Sequence, residues 1–306
     1  MIMDNTVLVL GAGGSIPYGF PSGRELFFII KKGLNIYTKG KRILWEKLRT
    51  LGIEEKEILS FRSALNYADS LSVDAFLEHR SEFSEVGKLS IALTLIPYED
   101  ERRLFNIGGS ADMPSSWYRY LMDKLDAKDR DEFKYNKLSV ITFNYDRSWE
   151  HYLFTALKHR YGITDNECAE SLSSMPIIHV YGSLGSLPWQ ASNYSRPYEE
   201  TSDLLEIQKA SRQIIVMSEK DDSAPVFHRV FELMKEASKI YFLGFGYHNT
   251  NLRRLGMGLL FDKANKFGTS VEIRNAEWRS ISSTWGITFQ GTNIDILSLF
   301  RDYYPL

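Results

Sequence analysis

Cysteine is almost missing from this chain: Cys168 is the single one among 306 residues. One thiol closes no disulfide within a chain, and no Cys-x-x-Cys pair is present to hold zinc, so no metal is expected and a reducing compartment is the simple reading. Long apolar runs are missing too. No stretch reaches the ~18 residues that a membrane-spanning helix needs, so no membrane partner is expected. Met1 to Asn5 lack the basic region, apolar run and small-residue cleavage site of a secretion signal, and the expected location is cytoplasmic. Charge of one sign is also scarce. The formal net charge is −2, which gives no long-range field for capturing nucleic acid, and direct nucleic-acid binding is not expected. Internal repeats and low-complexity tracts are absent. Hydrophobic residues make up 43% and charged residues 25%, an ordinary globular balance. The length suits one large α/β domain or a domain with a sizeable insert.

The pattern along the chain specifies more. Asn5 to Leu10 form a short run of β-branched and aliphatic residues without alternation, as in a strand buried on both faces. Glycines end it, and a helix is expected from about Ser22. Between about residues 39 and 135 apolar positions recur at helical spacing: Ile43, Leu44, Leu48 and Leu51; Ile58, Leu59 and Leu65; Phe76, Leu77, Phe83, Val86 and Leu89. This reads as a helical insert between the first two core strands, with its clearest break at Gly108-Gly109-Ser110. Leu138 to Thr142 resume the strand pattern, and a helix carrying Trp149, Tyr152, Leu153 and Ala156 follows. Further strands are expected at Pro176 to Val180, Gln213 to Met217, Lys239 to Leu243 and Thr269 to Ile273. Helices are expected at Val226 to Ala237 and Leu252 to Ala264, and a loop at Ala191 to Glu200. The alternation predicts an α/β fold: a doubly wound, Rossmann-like parallel sheet with a helical insert, in one domain over residues 1–306.

Four motifs fall at expected strand ends. The first is Gly11-Ala12-Gly13-Gly14-Ser15. Strand, glycine loop and helix together suit a pyrophosphate, which backbone N–H groups and a helix N-terminus stabilise; a plain tight turn is the alternative. It is not the usual G-x-G-x-x-G, because Ile16 stands where a glycine would. The helical insert also displaces the acidic strand end expected about twenty residues on, which disfavours a standard hydride-transfer enzyme. The second motif is Thr142-Phe143-Asn144-Tyr145-Asp146. The Asn side chain offers a donor and an acceptor for ribose hydroxyls or a water, whereas the plain alternative is a turn cap. The third is Ile177-Ile178-His179-Val180-Tyr181-Gly182-Ser183-Leu184. Its imidazole suits proton transfer near neutrality, and the alternative is a core His bonded to a carbonyl. The fourth is Leu243-Gly244-Phe245-Gly246-Tyr247-His248-Asn249, either a close backbone approach to a nucleotide or a helix N-cap. The remaining histidines, among them His79, His151, His159 and His228, read as structural or exposed.

The order and placement of these motifs resemble the sirtuin family, and more closely its divergent bacterial branch found in anti-phage defence proteins. The resemblance covers roughly 1–35 and 137–280, and Ser72 to Glu78 also looks like a segment common in that branch. It implies that Gly11, Ala12, Gly13 and Ser15 form an NAD phosphate loop. Asn144 and Asp146 fall on the Asn and Asp of the family's Gln-Asn-x-Asp motif, with Phe143 in place of Gln. His179 falls on the catalytic His. Gly244 falls on the first residue of a Gly-Thr-Ser segment, where Phe245 and Gly246 replace Thr and Ser. Asn275 is set against an Asn near the adenosine.

The four-cysteine zinc ribbon of deacetylase sirtuins is missing, so the resemblance implies NAD hydrolysis rather than protein deacetylation. The expected enzyme is an NAD+ glycohydrolase that releases nicotinamide and ADP-ribose, with Asn144 and His179 catalytic and NAD as substrate. The resemblance further implies a gated, NAD-depleting effector that acts as a homo-oligomer or with a partner such as a HerA-like ATPase or an Argonaute-type sensor. Rival readings are a deacylase or ADP-ribosyltransferase, a module that binds NAD or ADP-ribose without cleaving it, and an interaction scaffold built on the insert.

Overall fold

A computed structural model describes residues 1–35, 43–107, 116–190, 192, 194–216, 219, 224–259 and 264–306. The five strands are β1 (Thr6–Leu10), β2 (Leu138–Thr142), β3 (Ile177–His179), β4 (Lys239–Leu243) and β5 (Asn265–Gly268). They form one all-parallel sheet in the order β3-β2-β1-β4-β5. The central strand is buried at all five positions, as its unbroken aliphatic run requires when helices cover both faces. The chain moves outward from β1 through β2 to β3, then returns to lay β4 on the other side of β1. That reversal places a topological switch point at the carboxyl ends of β1 and β4, where open α/β sheets bind ligands.

Helix α1 (Gly23–Gly33) starts where the sequence predicts. Ser22 and Glu25 form a reciprocal capping box: Ser22 Oγ accepts from the Glu25 amide at 3.2 Å, and Glu25 accepts from the Ser22 amide at 2.8 Å. The insert is helical throughout its described part: α2 (Ile43–Thr50), α3 (Glu55–Ala68), α4 (Val73–His79), α5 (Ser84–Leu95), α6 (Glu101–Phe105), α7 (Trp117–Lys124) and α8 (Arg130–Phe133). The predicted break at Gly108 to Ser110 lies outside the described residues. The insert grips the glycine loop directly. Trp117 Nε1 donates to the Gly14 carbonyl at 2.9 Å, the Tyr118 amide donates to Tyr18 Oη at 2.8 Å, and the Tyr18 and Tyr118 rings stack at 3.7 Å. After β2 come α9 (Ser148–Tyr161) and α10 (Asp165–Leu172); later come α11 (Leu204–Ser211), α12 (Pro225–Glu236), α13 (Asn249–Arg254), α14 (Asn275–Trp285) and α15 (Ile296–Ser298). Gly162, with φ +62, ends α9 after the basic last turn of Lys158, His159 and Arg160.

Three expected elements differ. The last strand is Asn265–Gly268, not Thr269 to Ile273. Thr269 Oγ1 instead accepts from the Gly244 amide at 2.9 Å, and the chain turns at Glu272, with φ +62. In the expected strand at 213–217, Ile214 forms a single antiparallel bridge to Gly182, and Met217 lies outside the described residues. The helix expected over 252–264 is only Asn249–Arg254. Gly256, with φ +72, precedes a 3-10 turn at Met257–Leu259, and 260–263 lie outside the described residues. Among the described residues no helix is long and apolar enough to cross a membrane.

Candidate active site

The site is assembled where the ends of β1, β2 and β3 meet the N-terminus of α9. Thr142 and His179 are register partners in β2 and β3, so the residues that follow β2 emerge beside the His179 ring. The β1 turn and the β4 turn meet backbone to backbone. The Gly11 amide donates to the Leu243 carbonyl and the Gly13 amide to the Gly244 carbonyl, both at 3.0 Å. A Cβ at Gly11 would lie 2.5 Å from the Gly244 oxygen, and one at Gly13 2.7 Å from the Gly244 Cα. The Gly14 and Ser15 amides close back onto the Gly11 and Ala12 carbonyls. The glycines thus serve the meeting of two strand ends. The amides of Gly11, Gly13, Gly14 and Ser15 already have backbone acceptors, which leaves little of the loop's expected phosphate-binding capacity free in this arrangement.

Asn144 joins this loop to the end of β2. Its Nδ2 donates to the Gly11 carbonyl at 3.0 Å and to Ser15 Oγ at 3.1 Å. Ser15 Oγ in turn donates to Asp146 Oδ2 at 2.8 Å. On its other oxygen Asp146 accepts from the Ser148 amide at 3.1 Å and from the Ser148 hydroxyl. Because the Ser148 proton points to Asp146, the Tyr118 hydroxyl is the donor in its 2.7 Å contact with Ser148 Oγ. A relay of donors therefore runs inward from Asn144 and from Tyr118 and terminates on one buried carboxylate. Burial pushes the Asp146 carboxyl up from its ordinary range, and the Ser148 and Ser15 hydrogen bonds oppose that shift.

His179 is held at both ring nitrogens. Nδ1 lies 2.9 Å from the Asn144 carbonyl, and Nε2 lies 2.8 Å from Glu150 Oε1. A carbonyl only accepts, so Nδ1 carries a proton. The Glu150 side chain is 4% exposed and that of His179 13% exposed. Burial by itself lowers the imidazole pKa. The Glu150 charge and hydrogen bond, with the Asn144 carbonyl and the Asp146 charge, outweigh burial and raise it above its ordinary value.

Two further groups frame the cluster. The Tyr145 hydroxyl donates to Asp74 Oδ1, which α4 of the insert presents, and burial raises the Asp74 carboxyl. Arg147 is fully buried and clamps the turn after Asp146. It pairs with Glu99 at 2.8 and 2.7 Å and donates to the carbonyls of Ser186, Arg196 and Pro197. Arg196 pairs with the same Glu99. In front of the strand ends, Phe143 packs edge-on against Tyr181 at 5.7 Å and against Phe245 at 5.1 Å.

Seven residues expected at the site therefore lie together: Gly11, Gly13, Ser15, Asn144, Asp146, His179 and Gly244. Ala12 belongs to the same turn, and Phe245 lies over the glycine contact. Asn275 does not join them. It is exposed at the first position of α14, where Oδ1 accepts from Trp278 Nε1 at 3.2 Å. Glu150 is unmarked in the sequence, and Asp74 enters there only as part of the Ser72 to Glu78 segment, without a role. A signal existed for Glu150, which shares the apolar helical spacing of Leu153, Phe154 and Leu157. A carboxylate on a buried helix face requires a partner. Of the histidines read as structural, His151 stacks on Tyr198 at 4.4 Å.

A cavity of about 10 Å³, the size of one water, lies behind the cluster, lined by Ser15, Thr142, Asn144, Asp146 and Glu150 among others. Larger cavities lie elsewhere: one of about 370 Å³ at the opposite end of the strands, beside Thr6 and Leu138, and one of about 520 Å³ along α3. Among the described residues no group of His, Cys, Asp and Glu is placed to hold a metal. Comparison with protein-family models gave no match, and comparison with curated proteins gave none.

Proposed function

We propose that this chain hydrolyses the bond between nicotinamide and ribose in NAD, with Asn144 and His179 nearest the reacting sugar. The observation that carries the reading is the meeting of distant motifs at the carboxyl end of the sheet. The Asn144 side chain holds the glycine loop, and its carbonyl holds the His179 ring. The C1′–N bond breaks with its electron pair going to the pyridinium nitrogen, so nicotinamide leaves neutral and needs no general acid. Water bonds to C1′ through an oxocarbenium-like transition state and gives up a proton. Asn144 orients the ribose or the water, and His179 receives the proton. Positioning supplies much of the acceleration. In the scheme, the loop at Gly11 to Ser15 and the Gly244-Phe245 turn lie along the dinucleotide, and Asn275, exposed at the start of α14, is given no role.

The setting we propose is cytoplasmic NAD depletion in anti-phage defence, gated by self-assembly or by a separate sensor. The test is incubation of the purified chain with NAD, alone and with infected-cell extract, followed by chromatography for nicotinamide and ADP-ribose. Asn144→Ala and His179→Ala are each expected to abolish product. Normal NAD consumption by either variant overturns the roles. NAD binding without nicotinamide release supports instead a binding module. A product altered by a peptide acceptor supports a deacylase or ADP-ribosyltransferase.

A further inference from the structure

The His179 ring is fixed from two sides. Its Nδ1 proton points at a backbone carbonyl, and its Nε2 faces a carboxylate that is nearly sealed from water. The carbonyl and an ionised Glu150 carboxylate both accept, so between them the ring is fully hydrogen-bonded only when both nitrogens carry protons. In that state neither nitrogen has a lone pair to take a proton from a sugar or a water. We propose that Glu150 is a positioning residue of this site: it locks His179 against the Asn144 carbonyl as an imidazolium in the resting chain, and the ring becomes a base only when it leaves Glu150 having given up its Nε2 proton to that carboxylate or to water. The proposal rests on the hydrolase reading for its catalytic meaning, while its structural content stands apart from that reading.

The surroundings of the ring support this assignment. From α9 comes Glu150. From the turn after β2 come the Asn144 carbonyl and the Asp146 carboxyl, which adds negative field. The neighbouring cation, Arg147, turns away and gives its guanidinium to Glu99 and to three carbonyls. Tyr198 lies close enough to Glu150 and Asp146 to feel both charges, and burial holds its hydroxyl protonated. The charges that raise the proton affinity of the ring, Glu150 and Asp146, are both acids, and Glu150 is the one in contact.

The test uses the full chain with 15N-labelled histidine. Long-range 1H–15N spectra separate the neutral tautomers from the imidazolium, and His179→Gln assigns the signal. In the wild type, His179 is expected to be doubly protonated at pH 6.5 and to titrate above that value. Glu150→Gln is expected to lower its proton affinity at least tenfold, one pH unit, and Glu150→Asp to restore part of the shift. A His179 that is neutral at pH 6.5 in the wild type, or a midpoint unmoved by Glu150→Gln, overturns the proposal. Should Glu150→Gln fail to fold, the wild-type titration and Glu150→Asp decide. In parallel, the acid limb of the kcat profile for nicotinamide release is expected to move to lower pH with the NMR midpoint. A shifted midpoint in a chain that releases no nicotinamide sustains Glu150 as the partner that sets His179 and defeats only the hydrolase reading.

Discussion

Replacing Gly244 by alanine tests how the two strand ends meet. Gly244 has φ +57, a left-handed conformation that costs an L-residue roughly 1–2 kcal/mol. Its new Cβ would lie 2.2 Å from the Gly14 nitrogen, 2.3 Å from the Gly13 carbonyl carbon and 2.6 Å from the Gly13 Cα. All three are backbone atoms, so no rotamer relieves the overlap and the β1 turn itself has to move. Overpacking of that kind costs ~1–3 kcal/mol, which brings the expected loss to about 2–5 kcal/mol. The moving turn carries Gly11 and Ser15, the two groups that hold the Asn144 amide, so NAD cleavage is expected to fall as well. Urea unfolding followed by tryptophan fluorescence measures the stability term. Gly246→Ala is the control, because nothing lies within 4 Å of its added methyl. A Gly244→Ala protein within ~0.5 kcal/mol of wild type, the scatter of ordinary surface substitutions, would refute the reasoning.

Three other outcomes follow from the same contacts. Glu99→Gln leaves the buried Arg147 and Arg196 guanidinium groups without their shared carboxylate and is expected to cost about 3–5 kcal/mol in urea unfolding; a loss under ~1 kcal/mol would show that the cluster is solvated. The folded chain binds the His179 proton more tightly than the unfolded chain, so that stabilisation is complete below about pH 6.5 and fades as pH rises through the raised folded pKa. The stability difference between wild type and His179→Gln should therefore shrink from pH 6 to pH 9, and a difference that grows with pH refutes the assignment. Asp74→Ala removes the acceptor of the buried Tyr145 hydroxyl and is expected to cost ~1–3 kcal/mol, whereas Asp74→Asn keeps an acceptor and most of the stability; equal melting temperatures for the two variants would show that the bond contributes nothing.

The sheet was legible because its strands are short, aliphatic and buried on both faces. Val7 to Leu10, Val140 to Thr142 and Ile240 to Leu243 carry that pattern without polar interruption, and all three lie in the sheet. The insert was legible from helical spacing alone. The misplaced last strand shows where this reasoning stops. Thr269 to Ile273 has the same β-branched composition as a strand, but the register with β4 stops at the pair Phe242 and Gly268, and after one more bond, from the Thr269 amide to the Phe242 carbonyl, the chain turns away. At the candidate site, sequence order located Asn144, Asp146 and His179 together with Gly11 and Ser15, but not Glu150, the carboxylate that faces the His179 ring. Glu150 is four residues after Asp146, and Asp74 precedes Tyr145 by seventy-one positions. A local pattern carries no trace of such a pairing across the fold.

The glycine loop joins these observations. Its glycines fit a nucleotide loop, and Gly11 and Gly13 also fit what the fold makes of them, a backbone contact too close for any Cβ. The Asn144 amide, the Ser15 hydroxyl and the Asp146 carboxylate are likewise satisfied within the fold, and so are both nitrogens of His179, by the Asn144 carbonyl and Glu150. A dinucleotide that enters here must exchange some of these internal bonds for bonds to itself. Its apparent affinity is then its intrinsic affinity multiplied by the fraction of chains already open. Gating requires no further device on this account: a second copy or a sensor protein that binds the open form raises that fraction and switches on the chemistry. The bond whose rupture frees a base is the one between His179 and Glu150, so weakening it should raise basal nicotinamide release and weaken the dependence on a partner at the same time. Glu150→Asp, which shortens the side chain by one methylene, tests this point. Basal release unchanged or lower in that variant, with partner dependence intact, would separate gating from the Glu150 contact.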